Sequence, residues 1–183
     1  MSADEAVLAA TRAWLERAVI GLNLCPFARA VYAKGQVRFV ASAAESQAQV
    51  LDDLARELDG LAACNPHERD TTLLVVPRCL AQFLDFNDVV SRGERMIRKK
   101  RLEGVIQLAS FHPDYRFADA EEDDVTNCTN RSPYPTLHLL REASIDKAVR
   151  AFPDAAAIYG ANQATLRKLG PGGWTALGVG PAP

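Results

Sequence analysis

The side chains best suited to chemistry lie between residues 110 and 142, a stretch that holds two of the three histidines of the chain. His112 is followed two positions later by Asp114. A histidine can act as acid, base or metal ligand, and a nearby carboxylate can orient it or bind the same metal. We therefore predict that His112 and Asp114 are catalytic residues. The alternative is a histidine that only hydrogen-bonds a nearby carbonyl, with Asp114 in an ordinary turn.

A second polar group precedes a helix that we predict over residues 135–141, with Pro135 in its first turn. A helix N-terminus presents free N–H groups and the positive end of the helix dipole. A guanidinium adds a planar fork that suits carboxylate or phosphate. The segment thus predicts a site for a small anionic molecule, with the ligand-binding side chains Asn130, Arg131, Ser132, Tyr134, His138 and Arg141. The alternative is a helix cap in which Arg131 pairs with the acidic run at residues 119–124.

Cys25 is the third candidate for chemistry, because Pro26 suits the first position of a short helix. The thiol would then lie near a helix N-terminus, which lowers a thiol pKa and favours the nucleophilic thiolate. Cys25 is therefore a candidate catalytic nucleophile or redox residue. The alternative is a packed thiol, since free cysteine is usually a small core residue.

The same residues leave open the question of whether the protein binds a metal cofactor. His112, Asp114 and His138 offer the ligand types that suit zinc or non-haem iron, provided that the fold brings them together. Their spacing in the sequence matches no ligand motif. The cofactor is therefore unknown, with a divalent metal as the case to test.

The elements that must position these residues follow from the hydrophobic pattern. Apolar runs predict strands at residues 37–40, 71–76 and 104–111, each short enough for a buried strand. Helical periodicity predicts helices at residues 4–22, 45–61, 80–101, 144–152 and 154–169. We expect a break in the third of these helices near residues 85–87, an N-cap at Ser144 and a helix end at Gly170.

Strands that alternate with helices are typical of parallel pairing through crossover connections. We therefore predict an α/β fold, with a small mostly parallel sheet of about three strands, crossover helices and a helical C-terminal part. Residues 1–183 form a single domain in this interpretation, and residues 1–3 and 178–183 are frayed. Ligands in such sheets bind beyond the carboxyl ends of the strands, which is where His112 follows the third strand.

Composition narrows the class of protein. The chain has 183 residues, 48% of them hydrophobic and 24% charged, which is typical of a globular domain. A net charge of -2 offers no basic face for nucleic acid, and the apolar runs are too short for a membrane span. The N-terminus does not resemble a signal peptide, so we expect a cytoplasmic protein with reduced cysteines. The oligomeric state is left open.

Four longer motifs carry a family resemblance. They are T-R-A-W-L-E-R-A-V-I-G-L-N-L-C-P-F-A, L-D-F-N-D, G-V-I-Q-L-A-S-F-H-P-D-Y-R-F-A and N-R-S-P-Y-P-T-L-H-L-L-R-E-A-S-I-D. Together they resemble a bacterial family of unknown function, number 1415 in the domain-of-unknown-function series, over nearly the whole chain. The resemblance implies an uncharacterised protein and brings no activity, cofactor or catalytic residue with it.

The leading interpretation is an enzyme, or enzyme-like protein, that acts on a small anionic molecule at the end of the third strand. One alternative is a non-catalytic module that binds a metabolite or a partner protein, and another is a thiol-based redox role for Cys25. The arrangement of His112, Asp114 and Arg131 discriminates the first two, because an enzyme needs them around one pocket.

Overall fold

The computed structural model of the chain describes residues 2–151 and 155–182. This part of the chain contains a π-helix, Leu15–Ile20, and a 3-10 helix, Val125–Thr129. The remaining elements, in chain order, are α1 Ala3–Trp14, α2 Ala28–Ala33, β1 Val37–Ala41, α3 Gln47–Ala63, β2 Thr71–Val75, α4 Phe83–Lys99, β3 Ile106–Phe111, β4 Thr136–Arg141, α5 Glu142–Ala151 and α6 Ala155–Ala176.

The strands form one sheet with the order β1-β2-β4-β3. β1 pairs with β2 in parallel, and β4 is antiparallel to both of its neighbours, β2 and β3. β1, β2 and β3 therefore run in the same direction and are joined by α3 and α4, as the alternating pattern predicts. The predicted mostly parallel, three-stranded sheet is nevertheless wrong, because β4 enters between β2 and β3. The result is a mixed four-stranded sheet in a single α/β domain.

The predicted helix over residues 135–141 is wrong, because this segment is β4. Pro135 does not start a helix, and its carbonyl instead accepts the N–H of Val76 at 2.8 Å, which extends the ladder with β2. A proline is tolerated at the start of a strand, where its missing N–H is not needed. Leu137 and Leu139 are fully buried on one side of the strand, whereas His138 points to the other. Six residues are too few for periodicity to separate a strand from a helix.

The two faces of the sheet are covered differently. One face, here called the closed face, carries Leu74, Leu137 and Leu139 and packs against α3 and α4 in the largest core cluster. The opposite face, here called the cavity face, carries Leu73 and packs against the α1 and π-helix side chains Trp14, Leu15, Ala18 and Val19. Among the described residues, no helix has the length and the hydropathy that a membrane span requires.

Several predicted helix boundaries are corrected by the structure. The single helix expected over residues 4–22 becomes a π-helix at Leu15. In a π-helix the hydrogen bonds join residues five apart instead of four. α2 begins at Ala28 with Phe27 as its N-cap, so the predicted placement of Pro26 in the first helical position is wrong, and Cys25 lies two residues before the N-cap. α4 runs without the break expected near residues 85–87.

The C-terminal helices also differ from the sequence pattern. α5 begins at Glu142, so Ser144 lies inside the helix. The predicted N-cap at Ser144 is therefore wrong. Gly170 has φ 69° and interrupts α6, which fits the predicted helix end, but helical geometry resumes and continues to Ala176. The predicted boundaries at residues 152–154 lie outside the described residues.

Both described ends of the chain make defined contacts. Ser2 caps α1 in a reciprocal capping box with Glu5. Near the other end, Val179 is buried against the cluster on the cavity face, and the Ala182 N–H donates to the Tyr134 hydroxyl at 2.8 Å. Fraying of these ends stays a prediction.

The central position of β4 can be tested with Leu139→Ala. Because Leu139 is fully buried on the closed face, we expect its truncation to lower the free energy of unfolding by about 2–5 kcal/mol. Leu84→Ala is the matched control, since Leu84 is 81% exposed and its truncation should change stability by less than about 0.5 kcal/mol. Denaturant unfolding of the two variants measures the difference, and equal losses would contradict the central placement of β4.

Candidate functional site

A cavity of 280 Å³ lies on the cavity face of the sheet. Its floor is a row of three paired residues, in which His138 of β4 stands between Leu73 of β2 and Ala109 of β3. Ala109 has only a methyl group, so it leaves open space beside the imidazole ring. The cavity exceeds the roughly 150 Å³ that holds a benzene ring and lies near the lower end of ligand pockets, about 300 Å³.

The walls of the cavity come from three helical segments. α1 and the π-helix supply Trp14, Leu15 and Val19, and the segment after them supplies Cys25, Phe27, Ala28 and Val31. α5 closes the third side with Ser144, Ile145 and Ala148. Most of these side chains are apolar. The π-helix is notable because π-helical turns recur at functional sites, where they shift the side chains that follow.

Thr71 decides which ring nitrogen of His138 carries the proton. The Thr71 hydroxyl donates its only proton to the Leu139 carbonyl, at 2.6 Å, and lies 2.6 Å from His138 Nε2. Nε2 must therefore carry a proton and donate it to the hydroxyl oxygen, which leaves Nδ1 with a lone pair. His138 lines the cavity, and burial lowers the pKa of His138 to about 4. The imidazole is thus neutral near pH 7.

Cys25 and His138 line the same cavity, although they are far apart in the sequence. Cys25 follows the π-helix and a turn in which Asn23 has a positive φ of 55°. The thiol is half-buried and free of any disulfide. The structure therefore places one predicted catalytic residue and one predicted ligand-binding residue on the lining of the same cavity.

The polar end of the cavity is formed by side chains that bind one another or the backbone. The Ser144 hydroxyl donates to Asp70 Oδ1 at 2.5 Å. Arg141, a predicted ligand-binding residue, donates from Nη2 to the carbonyl oxygens of Leu61 and Cys64, at 2.7 Å each, and from Nε to the Arg69 carbonyl at 3.2 Å. Arg141 thus ties β4 to the end of α3.

His112 lies away from this cavity, fully buried at the end of β3. Its Nδ1 accepts the Asp114 N–H at 3.0 Å, so its Nε2 carries the proton and donates to the Leu80 carbonyl, also at 3.0 Å. Burial lowers the pKa of His112, and the bond to Leu80 acts weakly in the opposite direction. Leu80 itself has a positive φ of 64°, a conformation that a bulky side chain rarely adopts. Both ring nitrogens are occupied, and a catalytic role for His112 and Asp114 stays a prediction.

Arg131 is bound to backbone carbonyls. Its Nε donates to the Tyr115 carbonyl at 3.2 Å, and its Nη2 donates to the Glu122 carbonyl at 2.7 Å. The guanidinium therefore joins the acidic run to the segment after β3, through the backbone and not through a carboxylate. The helix N-terminus that was to complete an anion site here is absent, because β4 takes its place.

The other predicted ligand-binding residues of this segment hold the same loop together. The Asn130 side-chain amide donates to the Ser110 carbonyl at 3.2 Å. The Ser132 hydroxyl donates to the Tyr134 carbonyl at 2.6 Å, and the Tyr134 hydroxyl accepts from Ala182. Their roles in binding a ligand stay predictions.

Neither the cavity nor a second cleft, which Pro113 also borders, is lined by His112, Asp114 and Arg131 together. Arg131 and Ser132 border this second cleft of 470 Å³, shared with residues 174–181, whereas His112 and Asp114 do not. Within residues 2–151 and 155–182, no three side chains of His, Cys, Asp or Glu lie close enough to hold a metal ion together.

The sequence pattern missed Thr71 and the role of Ala109, although both decide the chemistry of the floor. Ala109 is paired with His138 across β3 and β4, whereas Thr71 contacts His138 diagonally from β2. The alternation of polar and apolar residues in T-L-H-L was the available signal for a strand. No short stretch of the sequence indicates that β2 and β3 are the strands that pair with β4.

The fold and the site together define a single-domain, mixed α/β protein with an apolar cavity on one face of its sheet. A family model described as "Protein of unknown function (DUF1415)" matches residues 6–176. The chain belongs to this family, which confirms the resemblance seen in its motifs. Neither the curated proteins nor the solved structures contain a match to the chain.

The buried imidazole of His138 predicts a loss of stability in mild acid. Its pKa is lowered from 6.5 to about 4 in the folded protein, so the unfolded chain binds the proton more tightly. The contribution of His138 to stability is therefore complete above about pH 6.5 and is lost as the pH falls towards 4. Between about pH 7 and pH 5, we expect the wild type to lose about 2 kcal/mol more than His138→Phe.

Denaturant unfolding at both pH values measures this difference. His112 titrates in the same direction in both proteins, so its contribution cancels in the comparison. An NMR titration of the His138 ring with a midpoint near the ordinary value would contradict the assignment.

Proposed function

We propose that the protein binds a small, mainly apolar and uncharged molecule in the cavity on the cavity face of the sheet. The observation that carries this proposal is the 280 Å³ space between a neutral His138 and the apolar walls from α1, the π-helix and α5. A concave, mostly apolar pocket with a few polar groups is the usual form of a small-molecule site.

The apolar walls favour an apolar ligand because transfer from water is worth about 25 cal/mol per Å² of buried apolar surface. Trp14, Phe27 and Phe111 are the largest apolar side chains that line the cavity. A flat ring system would be enclosed between these walls and the sheet. The size of the cavity suits a molecule of about two fused rings, judged against a benzene site of roughly 150 Å³.

The charges around the cavity favour an uncharged ligand over the anion expected from the sequence. His138 is neutral, and Arg141 donates from Nε and Nη2 to backbone carbonyls. An isolated carboxylate moved into such a space loses its hydration without gaining a partner, at a large cost in free energy. A small anionic ligand at the polar site after the third strand stays a prediction.

The same geometry favours a binding module over an acid–base enzyme. The two residues expected to carry out the chemistry, His112 and Asp114, lie outside the cavity. The dispersal of His112, Asp114 and Arg131 was the criterion that separates these two interpretations. We therefore propose non-catalytic binding as the primary function.

The test is to fill the cavity with Ala148→Leu. Ala148 lines the cavity from α5, so three added carbon atoms should exclude part of a ligand and weaken naphthalene binding about tenfold or more. Ala143→Leu is the matched control, since Ala143 is exposed on the same helix and does not line the cavity. Ligand-observed NMR measures the affinity of both variants, and thermal unfolding checks that both are folded.

Naphthalene that does not bind to the wild type, or that binds equally well to Ala148→Leu and to Ala143→Leu, would refute the proposed site.

A second candidate function is thiol chemistry at Cys25. The specific observation is that Cys25 and His138 line one cavity, so a ligand held there meets both the thiol and a neutral imidazole. An imidazole with a free lone pair is the type of base that activates a cysteine nucleophile. In this case the cavity would hold an apolar molecule with an electron-poor double bond. The Cys25 sulfur would bond to one carbon as the π bond breaks, and the thiol proton would pass through His138 to the other carbon.

Alkylation of the native protein tests the reactivity of Cys25. We expect naphthalene to protect Cys25 from iodoacetamide, because the ligand covers the thiol, and we expect His138→Phe to slow the reaction. Cys64 is the internal control, since it lies outside the cavity and should be alkylated at the same rate in every sample. Peptide mapping separates the two sites, and a Cys25 that reacts only after denaturation would remove this candidate.

A further inference from the structure

We infer that the molecule in the cavity carries a neutral hydrogen-bond donor, such as a hydroxyl or an N–H group, which binds to Nδ1 of His138. This inference rests on the proposed function and specifies the class of ligand. It makes His138 the residue that selects among apolar molecules of similar size.

The first step is that Nδ1 is an acceptor. The Thr71 hydroxyl donates its single proton in a hydrogen bond to the Leu139 carbonyl, so towards Nε2 it can only accept. A neutral imidazole has one proton, and Nε2 holds it. Nδ1 is left with a lone pair that points away from Thr71.

The second step is that Nδ1 is open. The described residues provide no hydrogen bond to it. In that part of the chain, the buried side-chain atoms without a partner are Arg69 Nε and Thr72 Oγ1, and Nδ1 is not among them. An atom that has no partner and is not enclosed must keep accessible surface.

The third step is that this surface opens into the cavity. His138 lies on β4, which has β2 on one side and β3 on the other. Leu73 of β2 and Ala109 of β3 flank His138 on the cavity face. Phe111 packs on the ring with its centroid 6.0 Å away. The small Ala109 side chain leaves the remaining direction uncovered, and the ring is part of the cavity lining.

Asp70 is a second acceptor on the lining of the cavity, and its Oδ1 already accepts from the Ser144 hydroxyl. The Cys25 thiol is only a weak donor. A ligand with a donor therefore gains a hydrogen bond in an environment with little water. A ligand with only acceptors places its lone pairs against the lone pair of Nδ1.

The size of the selection follows from the net value of one hydrogen bond. At about 0.5–1.5 kcal/mol, a bond to Nδ1 changes the affinity by about twofold to tenfold. Burial keeps the pKa of His138 near 4, so the ring remains an acceptor throughout the neutral range. Selection of this kind depends on one atom and is removed by one substitution.

The test compares indole with benzofuran on the wild-type protein. The two molecules have the same shape, but indole donates from its N–H and benzofuran has only an oxygen acceptor in that place. We expect indole to bind about two to ten times more tightly, and its addition to shift the nitrogen NMR signal of His138 Nδ1. Indene, which has neither group, should bind but leave that signal unchanged.

His138→Phe supplies the matched variant, because it keeps an aromatic ring and removes both nitrogens. We expect it to bind indole and benzofuran with equal affinity. Equal affinities on the wild type, a preference for indole that survives in His138→Phe, or an unshifted Nδ1 signal would each overturn the inference while leaving the apolar site intact. Absence of binding by all of these bicyclic molecules would instead overturn the proposed function and the inference with it.

Discussion

The rest of the structure depends on the antiparallel insertion of β4 between β2 and β3. β2 and β3 run in the same direction and would each present an unpaired edge to the other without it. β4 satisfies the backbone groups on both sides through two continuous ladders. Because side chains alternate along a strand, its register also sends Leu137 and Leu139 to the closed face and His138 to the cavity face. A shift by one residue would place the imidazole in the main core.

The register of β4 also sets the chemistry of His138. It brings the ring beside Thr71, whose hydroxyl is already engaged with the Leu139 carbonyl of the same strand. One backbone acceptor thus decides the orientation of a hydroxyl, and the hydroxyl decides the tautomer of the imidazole. Ala109 on β3 and Ala148 on α5 line the cavity with methyl groups only, which leaves space that larger side chains would fill. Strand pairing, tautomer and cavity form one chain of causes.

The two histidines between residues 110 and 142 differ in how many of their ring nitrogens are already hydrogen-bonded. His112 follows β3 and spends both nitrogens on backbone groups, one of which belongs to Leu80 in a rare conformation. His138 spends one nitrogen and keeps the other open to a cavity. The residue types and the general location are visible in the sequence, but the hydrogen-bond partners come from Leu80 and Thr71, which lie far away along the chain. The leading expectation for catalysis favoured the histidine whose nitrogens are both occupied.

The sequence by itself determined the elements whose signals are local. The apolar runs of β1, β2 and β3, the amphipathic α3 and α4, and the family motifs can all be read within short windows, and the crossover pattern follows from their order. Only the tertiary structure decided that residues 136–141 are a strand, because a six-residue apolar segment suits a helix or a strand until neighbouring strands satisfy its backbone groups. It also moved the candidate site from the carboxyl end of the third strand to a face of the sheet. Which side chains share a face is set by the pairing register, and that register is a property of partners distant in sequence.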